Sequence, residues 1–371
     1  MRRTQKILIA IGAIAGLAIA AAGFALSYNA PCDGSPSLAG DAPRMRAVSA
    51  RCYGSPEVLR LEAVARPQPA DDQILIRVHA ASLNPYDWHL MRGSPYVMRL
   101  GGGIGQPKDP WIGADFAGTV EAVGAKVTRY KAGDAVFGSG GGTLADYVLK
   151  RETESLAIKP ATVTFEQAAG VNVAGITALQ ALRDHGGLQP GQRVLINGAS
   201  GGVGTFAVQI AKALGAHVTG VCSTKNVELV RSLGADEVID YTQTDFATGE
   251  RRYDLIVDNV ANRSISDLRR VLQPQGRLVI VGGAPGHWIG PLALPIKAVL
   301  FSPFVDQPMG MMMAKPNHQD MQTLADLMAS GKLIPVIDRT YPLNEVAEAM
   351  RYLETGRARG KVVVTVGPTG G

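Results

Sequence analysis

Cysteine is scarce in this chain: three residues in 371, at positions 32, 52 and 222, with no Cys-x-x-Cys pair. That count supports neither a disulfide framework nor a structural zinc site, which takes four close ligands. Clustered charge is lacking too. The formal net charge is +5, but the basic residues are scattered, and no Lys/Arg stripe interleaved with aromatics appears. This argues against nucleic-acid binding. Beyond residue 26 no long hydrophobic run is free of breaks. The most apolar later segment, 290–313, carries Pro291, Pro295, Pro303 and Pro308. Those prolines argue against a membrane span there and for a substrate-side lid or a subunit interface.

What the chain does have is glycine and apolar residues. With 46% hydrophobic residues, 19% charged and 44 glycines, the composition is that of a globular α/β protein. A length of 371 residues suggests about two domains. Met1 to Lys6 is basic, and Ile7 to Leu26 is twenty residues without a charge. At helical rise that run just covers a ~30 Å hydrocarbon core. Residues 1–30 therefore read as an N-terminal hydrophobic helix, a membrane anchor or a signal segment. An uncleaved anchor through residues 7–26 is preferred, because the run exceeds a usual signal core and Ser27-Tyr28-Asn29-Ala30 is a poor cleavage site. Arg2, Arg3 and Lys6 would keep the N-terminus cytoplasmic and put the folded part outside. The pyridine nucleotide inferred below points the other way, to the cytoplasm, so the side of the membrane stays open.

Residues 31–44, rich in Pro, Gly, Ser and Asp, read as a linker. From 45 to 165 the pattern is all-β, with short runs such as 74–78 and 118–123 broken by Gly and Pro turns. From 166 to 335 strands alternate with helical stretches, as a doubly wound parallel sheet requires. Residues 336–371 return to the first domain and end in a strand over 361–366.

The stretch from Val194 to Asn226 organises the rest. An apolar strand leads into Gly198-Ala199-Ser200-Gly201-Gly202-Val203-Gly204, then a helix to Leu214 and a second strand at 218–221. Strand, glycine turn, helix and strand form a dinucleotide-binding unit, with the pyrophosphate on the helix N-terminus. Ala199 begins the tight turn, Gly201 lets the backbone approach the pyrophosphate, and Gly204 lets the helix pack on the strand; Ser200, Gly202 and Val203 complete the cradle. After the second strand comes Cys222-Ser223-Thr224-Lys225-Asn226, with no carboxylate before Glu228. Ser223 and Lys225 suit a 2′-phosphate, which a carboxylate would repel, so the expected cofactor is NADPH. Asn259 follows the strand at 255–257, at the carboxyl edge of the sheet where ligands sit, and is a further cofactor candidate.

Five stretches, in this order, carry a resemblance: Ser82-Leu83-Asn84-Pro85-Tyr86-Asp87-Trp88, Gly113 to Gly118, Lys131-Ala132-Gly133-Asp134, Asn197 to Gly204, and Arg359-Gly360-Lys361-Val362-Val363. They resemble the zinc-free quinone oxidoreductase branch of the medium-chain dehydrogenases/reductases, similar to zeta-crystallin and the reticulon-interacting oxidoreductases. The resemblance implies a GroES-like β-domain plus a Rossmann domain, and a homodimer. It implies Thr177 beside the nicotinamide, Tyr241 lining the 2′-phosphate pocket, Asn84 as a hydrogen-bond donor near the nicotinamide, and Tyr96 at the cleft mouth. Lys361 is either a contact to the adenosine phosphate or a strand-end charge.

Zinc relatives need a His-Glu pair and cysteines; here Gly113-Ala114-Asp115 has alanine for the histidine, and the early cysteine position falls in Ser82 to Asn84. No metal is expected. Without a Lewis acid, alcohol oxidation is disfavoured. The implied activity is hydride transfer from NADPH to a quinone or an α,β-unsaturated carbonyl. Two other readings stay open: an NAD(P)-dependent alcohol or aldehyde reductase of the same superfamily, and a non-catalytic NADPH-binding, membrane-tethered protein.

Overall fold

The computed structural model describes residues 3–32, 43–283, 286–288 and 290–367, with side chains from Gly12 onward. Helix α1 (Arg3–Ser27) is built from the charge-free run, and from Gly12 to Ala22 it is exposed on every face. Among the described residues no helix is long and apolar enough to cross a membrane, so the expected anchor is not supported by the fold itself. The strap after α1 reaches Cys32, which is bonded to Cys52 with Cα atoms 5.0 Å apart. This corrects the expectation drawn from the cysteine count. The two residues stand twenty apart, and only the folded chain shows that they meet. Most of the 31–44 segment lies outside the described residues.

Strands β1 (Arg44–Ala50) and β2 (Leu59–Ala65) form an antiparallel pair, followed by the long β3 (Gln73–Leu83). The expected all-β pattern then breaks. Helix α2 (Pro85–Arg92) starts with proline at its first position, where no amide hydrogen is missed, and Asp87 accepts the Asn84 N–H at 2.7 Å. It stops at Gly93, whose φ of 56° a side chain would resist. The short α3 (Arg99–Gly102) follows. Pro85 and the local Asn84–Asp87 cap explain why a helix interrupts the strands here. Four strands continue the domain: β4 (Asp115–Val123), β5 (Ala135–Ser139), β6 (Tyr147–Arg151) and β7 (Leu156–Ile158).

Helices α4 (Phe165–Ala169) and α5 (Asn172–Gln180) lead into the second unit. There β8 (Arg193–Asn197), α6 (Gly202–Ala213), β9 (His217–Cys222), α7 (Val227–Ser232) and β10 (Glu237–Asp240) alternate as expected. After them come β11 (Tyr253–Asp258), α8 (Ile265–Arg270), β12 (Leu272–Ile280), α9 (Gly290–Phe301), β13 (Met309–Met311) and α10 (His318–Ala329). The six strands form one parallel sheet in the order β10-β9-β8-β11-β12-β13. Its central strands β8 and β9 are buried on both faces, which is why they read as apolar runs such as Val194-Leu195-Ile196.

The chain then returns through β14 (Ile337–Pro342), α11 (Val346–Glu354) and β15 (Lys361–Thr365). Strand β15 pairs antiparallel with β3, completing a seven-stranded sheet. One apolar core joins Ile196, Phe206 and Leu324 of the parallel-sheet unit to Phe137 and Val363 of the other sheet. The two sheets therefore share one core.

Candidate active site

The glycine turn sits where β8 meets α6. Gly198 has φ 79°, which reverses the chain, and Gly201 caps α6. A Cβ on Gly204 would stand 2.1 Å from the Gly198 carbonyl oxygen, so the helix lies directly on the turn. A Cβ on Gly201 would meet nothing closer than 3.5 Å, so no protein atom demands glycine there. The N-terminal amides of α6 face that space. Ala199 is fully buried, Ser200 is half-buried, and Gly202 and Val203 form the first turn of α6. Asn259 lies beside the turn. Its Nδ2 donates to the Asn197 carbonyl at 2.9 Å, while its Oδ1 is buried with no partner.

The second half of the pocket starts at the end of β9. Ser223 and Lys225 follow β9 and Tyr241 follows β10; the two strands run parallel, and the Tyr241 N–H donates to the Cys222 carbonyl at 3.0 Å. Lys225 is exposed. Two residues missed in the sequence shape this corner. Asn226 Nδ2 donates to Ser200 Oγ at 2.9 Å and to Ser223 Oγ at 3.4 Å, tying the turn to the 2′ corner. Its Oδ1, like that of Asn259, is buried without a partner. Two orphaned acceptors flanking an open glycine turn fit a nucleotide that brings its own donors. The other missed residue is Asp240, a carboxylate that reaches the corner from β10. It accepts from Thr224 Oγ1 at 2.6 Å and from the Thr242 hydroxyl and N–H; those bonds, the Thr224 hydroxyl's first, hold its carboxyl below the usual range.

A buried charged network underlies the junction of the two sheets. Asp115 is fully buried; its Oδ2 accepts from Ser82 Oγ (3.0 Å) and Asn84 Nδ2 (2.9 Å), and its Oδ1 accepts from the Val173 N–H at the start of α5 (3.0 Å). The Lys361 ammonium, 3% exposed, lies 3.6 Å from Asp115 Oδ2 and donates to the Leu83 carbonyl and to Asn84 Oδ1. Burial pushes the Asp115 carboxyl up and the Lys361 ammonium down, each countered by the other's charge. Asp87 is buried as well, and burial pushes its carboxyl up to about 7.

Two expectations change here. Lys361 points into this network, so it is not a contact to the adenosine phosphate. The Asn84 side chain is held between Asp115 and Lys361 and is only 2% exposed, which leaves a single amide hydrogen uncommitted. Thr177, on α5, gives its hydroxyl hydrogen to the Val173 carbonyl at 2.6 Å. The network nevertheless touches the turn. Lys361 runs past Gly202, and the Gly360 N–H donates to the Ser200 carbonyl at 3.0 Å.

The same place decides the metal question. Ala114 brings no donor, Ser82 and Asn84 serve Asp115, and the nearby cation is an ammonium that would repel a second one. His79 pairs with the Thr119 hydroxyl and His89 with the Ser94 carbonyl. Among the described residues no group of three His, Cys, Asp or Glu is arranged to hold a metal. The donor set does not fit zinc.

Tyr96 lies where the two units face each other. Its N–H donates to the His287 carbonyl at 2.7 Å, its ring stacks on His287 and meets the edge of Trp288 with centroids 4.8 Å apart. Ser94 Oγ and His287 Nδ1, 3.0 Å apart, add a second link. The 286–288 loop follows β12, at the carboxyl edge of the parallel sheet where ligands bind. Tyr96 and Trp288 thus link the two units at that edge.

The chain is similar to known proteins. Residues 70–161 match the alcohol dehydrogenase GroES-like domain, and residues 233–364 match a family described as zinc-binding dehydrogenase. A chloroplast envelope quinone oxidoreductase homolog of Arabidopsis thaliana is 34% identical over 339 residues, covering 86% of this chain and 98% of that protein. A trans-enoyl reductase of Aspergillus terreus is 37% identical over 327 residues, covering 80% and 87%. The crystal structure of Escherichia coli quinone oxidoreductase complexed with NADPH matches with a TM-score of 0.72 at 25% identity, covering 86% of this chain and all of that one.

Proposed function

The chain belongs to the quinone oxidoreductase branch of the medium-chain dehydrogenase/reductase family, and from that premise we propose an NADPH-dependent oxidoreductase that delivers hydride to a quinone or an α,β-unsaturated carbonyl. One observation carries the reading. The position that holds zinc ligands in metal-dependent relatives is filled by Ala114 and by an Asp115–Lys361 network with its valences already used. With no metal to polarise an alcohol, the acceptor must already be activated, as quinones and enones are.

NADPH would rest with its pyrophosphate on Gly201 to Gly204 and its 2′-phosphate at Ser223, Lys225 and Tyr241, and when bound it supplies the hydride. Asn226 and Asn259 offer their open oxygens to the same ligand. Asp240 does not overturn the preference for the phosphate, because its oxygens are engaged by Thr224 and Thr242. In this reading Thr177 flanks the nicotinamide. Tyr96 and the remaining Asn84 amide hydrogen act on the acceptor's carbonyl oxygen, which gains charge as hydride arrives. Purified protein that binds NADPH but oxidises it with no quinone, enone or aldehyde would be a binding protein, and the catalytic reading would fail.

Membrane attachment through residues 7–26 belongs to the same proposal, supported by a charge-free helix that the fold leaves uncovered from Gly12 to Ala22. The Cys32–Cys52 bond favours the non-cytoplasmic side, since disulfides persist in oxidising compartments, and Arg2, Arg3 and Lys6 favour the same side. That side demands a supply of reduced cofactor outside the cytoplasm. Thiol blocking in intact cells before non-reducing electrophoresis tests it; free thiols at both cysteines would return the folded part to the cytoplasm. A homodimer is also proposed, because β13 ends its sheet with an open edge beside exposed Leu300, Phe301 and Phe304. A monomeric mass in solution would contradict it.

A further inference from the structure

Helix α1 is apolar on all sides and, through three turns from Gly12 to Ala22, exposed on all sides. A helix of that kind suits no groove, which would cover one stripe; it suits a solvent that is apolar all round. Its charge-free run of twenty residues has the basic residues at its start.

The foot of this helix is fixed to the catalytic body rather than tethered by a loose linker. Arg99 is 1% exposed and buried beneath it. Its Nη1 donates to the carbonyls of Leu26 (2.9 Å) and Tyr28 (2.8 Å), and its Nε donates to that of Gly93 (2.7 Å). The guanidinium lies over the rings of Tyr53 and Tyr96, 4.3 and 4.6 Å from their centroids. The Ala30 N–H donates to the Gly105 carbonyl at 2.8 Å, and two residues later the Cys32–Cys52 bond holds the strap.

This foot stands beside Tyr96, which the family resemblance places at the cleft mouth. Tyr96 shares Arg99 with the α1 terminus, and a Cβ on Gly23 would lie 3.7 Å from the Trp288 ring. Around it Val97, Leu100, Ile104 and Trp288 are exposed large apolar side chains. A helix that leaves the protein here carries this patch to whatever surface it enters. We propose that the cleft mouth docks on the lipid bilayer and that the acceptor is a lipid-soluble quinone or enone, drawn from the membrane past Tyr96 and Trp288. The acceptor class rests on the enzymatic reading above; the docking does not.

The two parts are tested separately with the full chain in phosphatidylcholine vesicles. In a Trp88→Phe/Trp111→Phe background Trp288 is the remaining tryptophan. Lipids brominated near the headgroup should quench its emission by half or more. Unquenched emission from vesicle-bound protein would overturn the docking. The second measurement compares NADPH oxidation by an isoprenoid-tailed quinone in the vesicles with that by its tail-less analogue in water. The triple variant Val97→Ser/Leu100→Ser/Ile104→Ser, altered only at exposed positions, should keep its rate on the tail-less quinone within twofold and lose tenfold or more on the tailed one. Equal losses on both, or none, would overturn the acceptor assignment. Quenching with no turnover of either quinone by the unaltered protein would sink the enzymatic reading and leave the docking standing.

Discussion

Replacing Lys361 by methionine tests the buried network most sharply. The ammonium lies 3.6 Å from Asp115 Oδ2, and both groups are removed from solvent. Coulomb's law at that distance with an effective dielectric constant of ~20 gives about 4.6 kcal/mol. Removing one partner of a buried pair costs about 3–5 kcal/mol, because the other charge stays behind uncompensated. Asp115 keeps its bonds from Ser82, Asn84 and Val173, so the expected loss is near the middle of that range, about 4 kcal/mol. Urea unfolding of Lys361→Met, of Asp115→Asn and of the double variant measures it. The double variant should recover about half of the loss, since no lone charge remains. A loss below about 1 kcal/mol in Lys361→Met would refute the reasoning, because that is what an exposed pair is worth.

Four further outcomes follow from the same geometry. Lys225→Ala should raise the KM for NADPH about tenfold and leave that for NADH unchanged, because a charge-assisted bond to the 2′-phosphate is worth about 1.5–3 kcal/mol; equal changes would make Lys225 a surface charge. Gly204→Ala should weaken NADPH binding by about 100-fold, since its Cβ meets the Gly198 carbonyl at 2.1 Å and shifts the helix. Gly201→Ala should weaken NADPH binding without moving the unfolding midpoint, and a destabilised fold would show that protein contacts, not the ligand, require glycine there. Asp87, whose carboxyl burial pushes from 3.8 up to about 7, binds its proton more tightly folded than unfolded. Its contribution to stability is complete below pH 4 and is lost as the pH rises through 7, about 4 kcal/mol in all. Asp87→Asn should flatten the stability profile between those limits and be the more stable protein at pH 8; parallel profiles would contradict this.

The parts of the fold that were legible in the sequence are those with local causes. The apolar strands at Val194 and Leu255 are buried on both faces, and the turn from Gly198 to Gly204 has glycine where backbone approaches backbone. The segment from Pro85 to Gly102 was read as β because its helix depends on a cap, Asn84 with Asp87, rather than on periodicity. What could not be read was direction across space. Cys32 and Cys52 meet only because α1 docks on Arg99. Lys361 turns inward because β15 pairs with β3, which brings Asn84 and Asp115 within its reach. Asp240 enters the 2′ corner because β10 lies parallel to β9 in matching register. Asn226 carries a signal that could have been used: a polar residue at a helix start, three positions after Ser223, is placed to reach that hydroxyl.

The central claim is that this chain reduces an activated acceptor without a metal. The direct measurement is the kcat/KM for NADPH oxidation by chelator-treated protein with a quinone, an enone and a saturated aldehyde of similar size. The account predicts turnover of the quinone or the enone, with the aldehyde at least 100-fold poorer. Turnover confined to the aldehyde, or activity that appears only when zinc is restored, would contradict it.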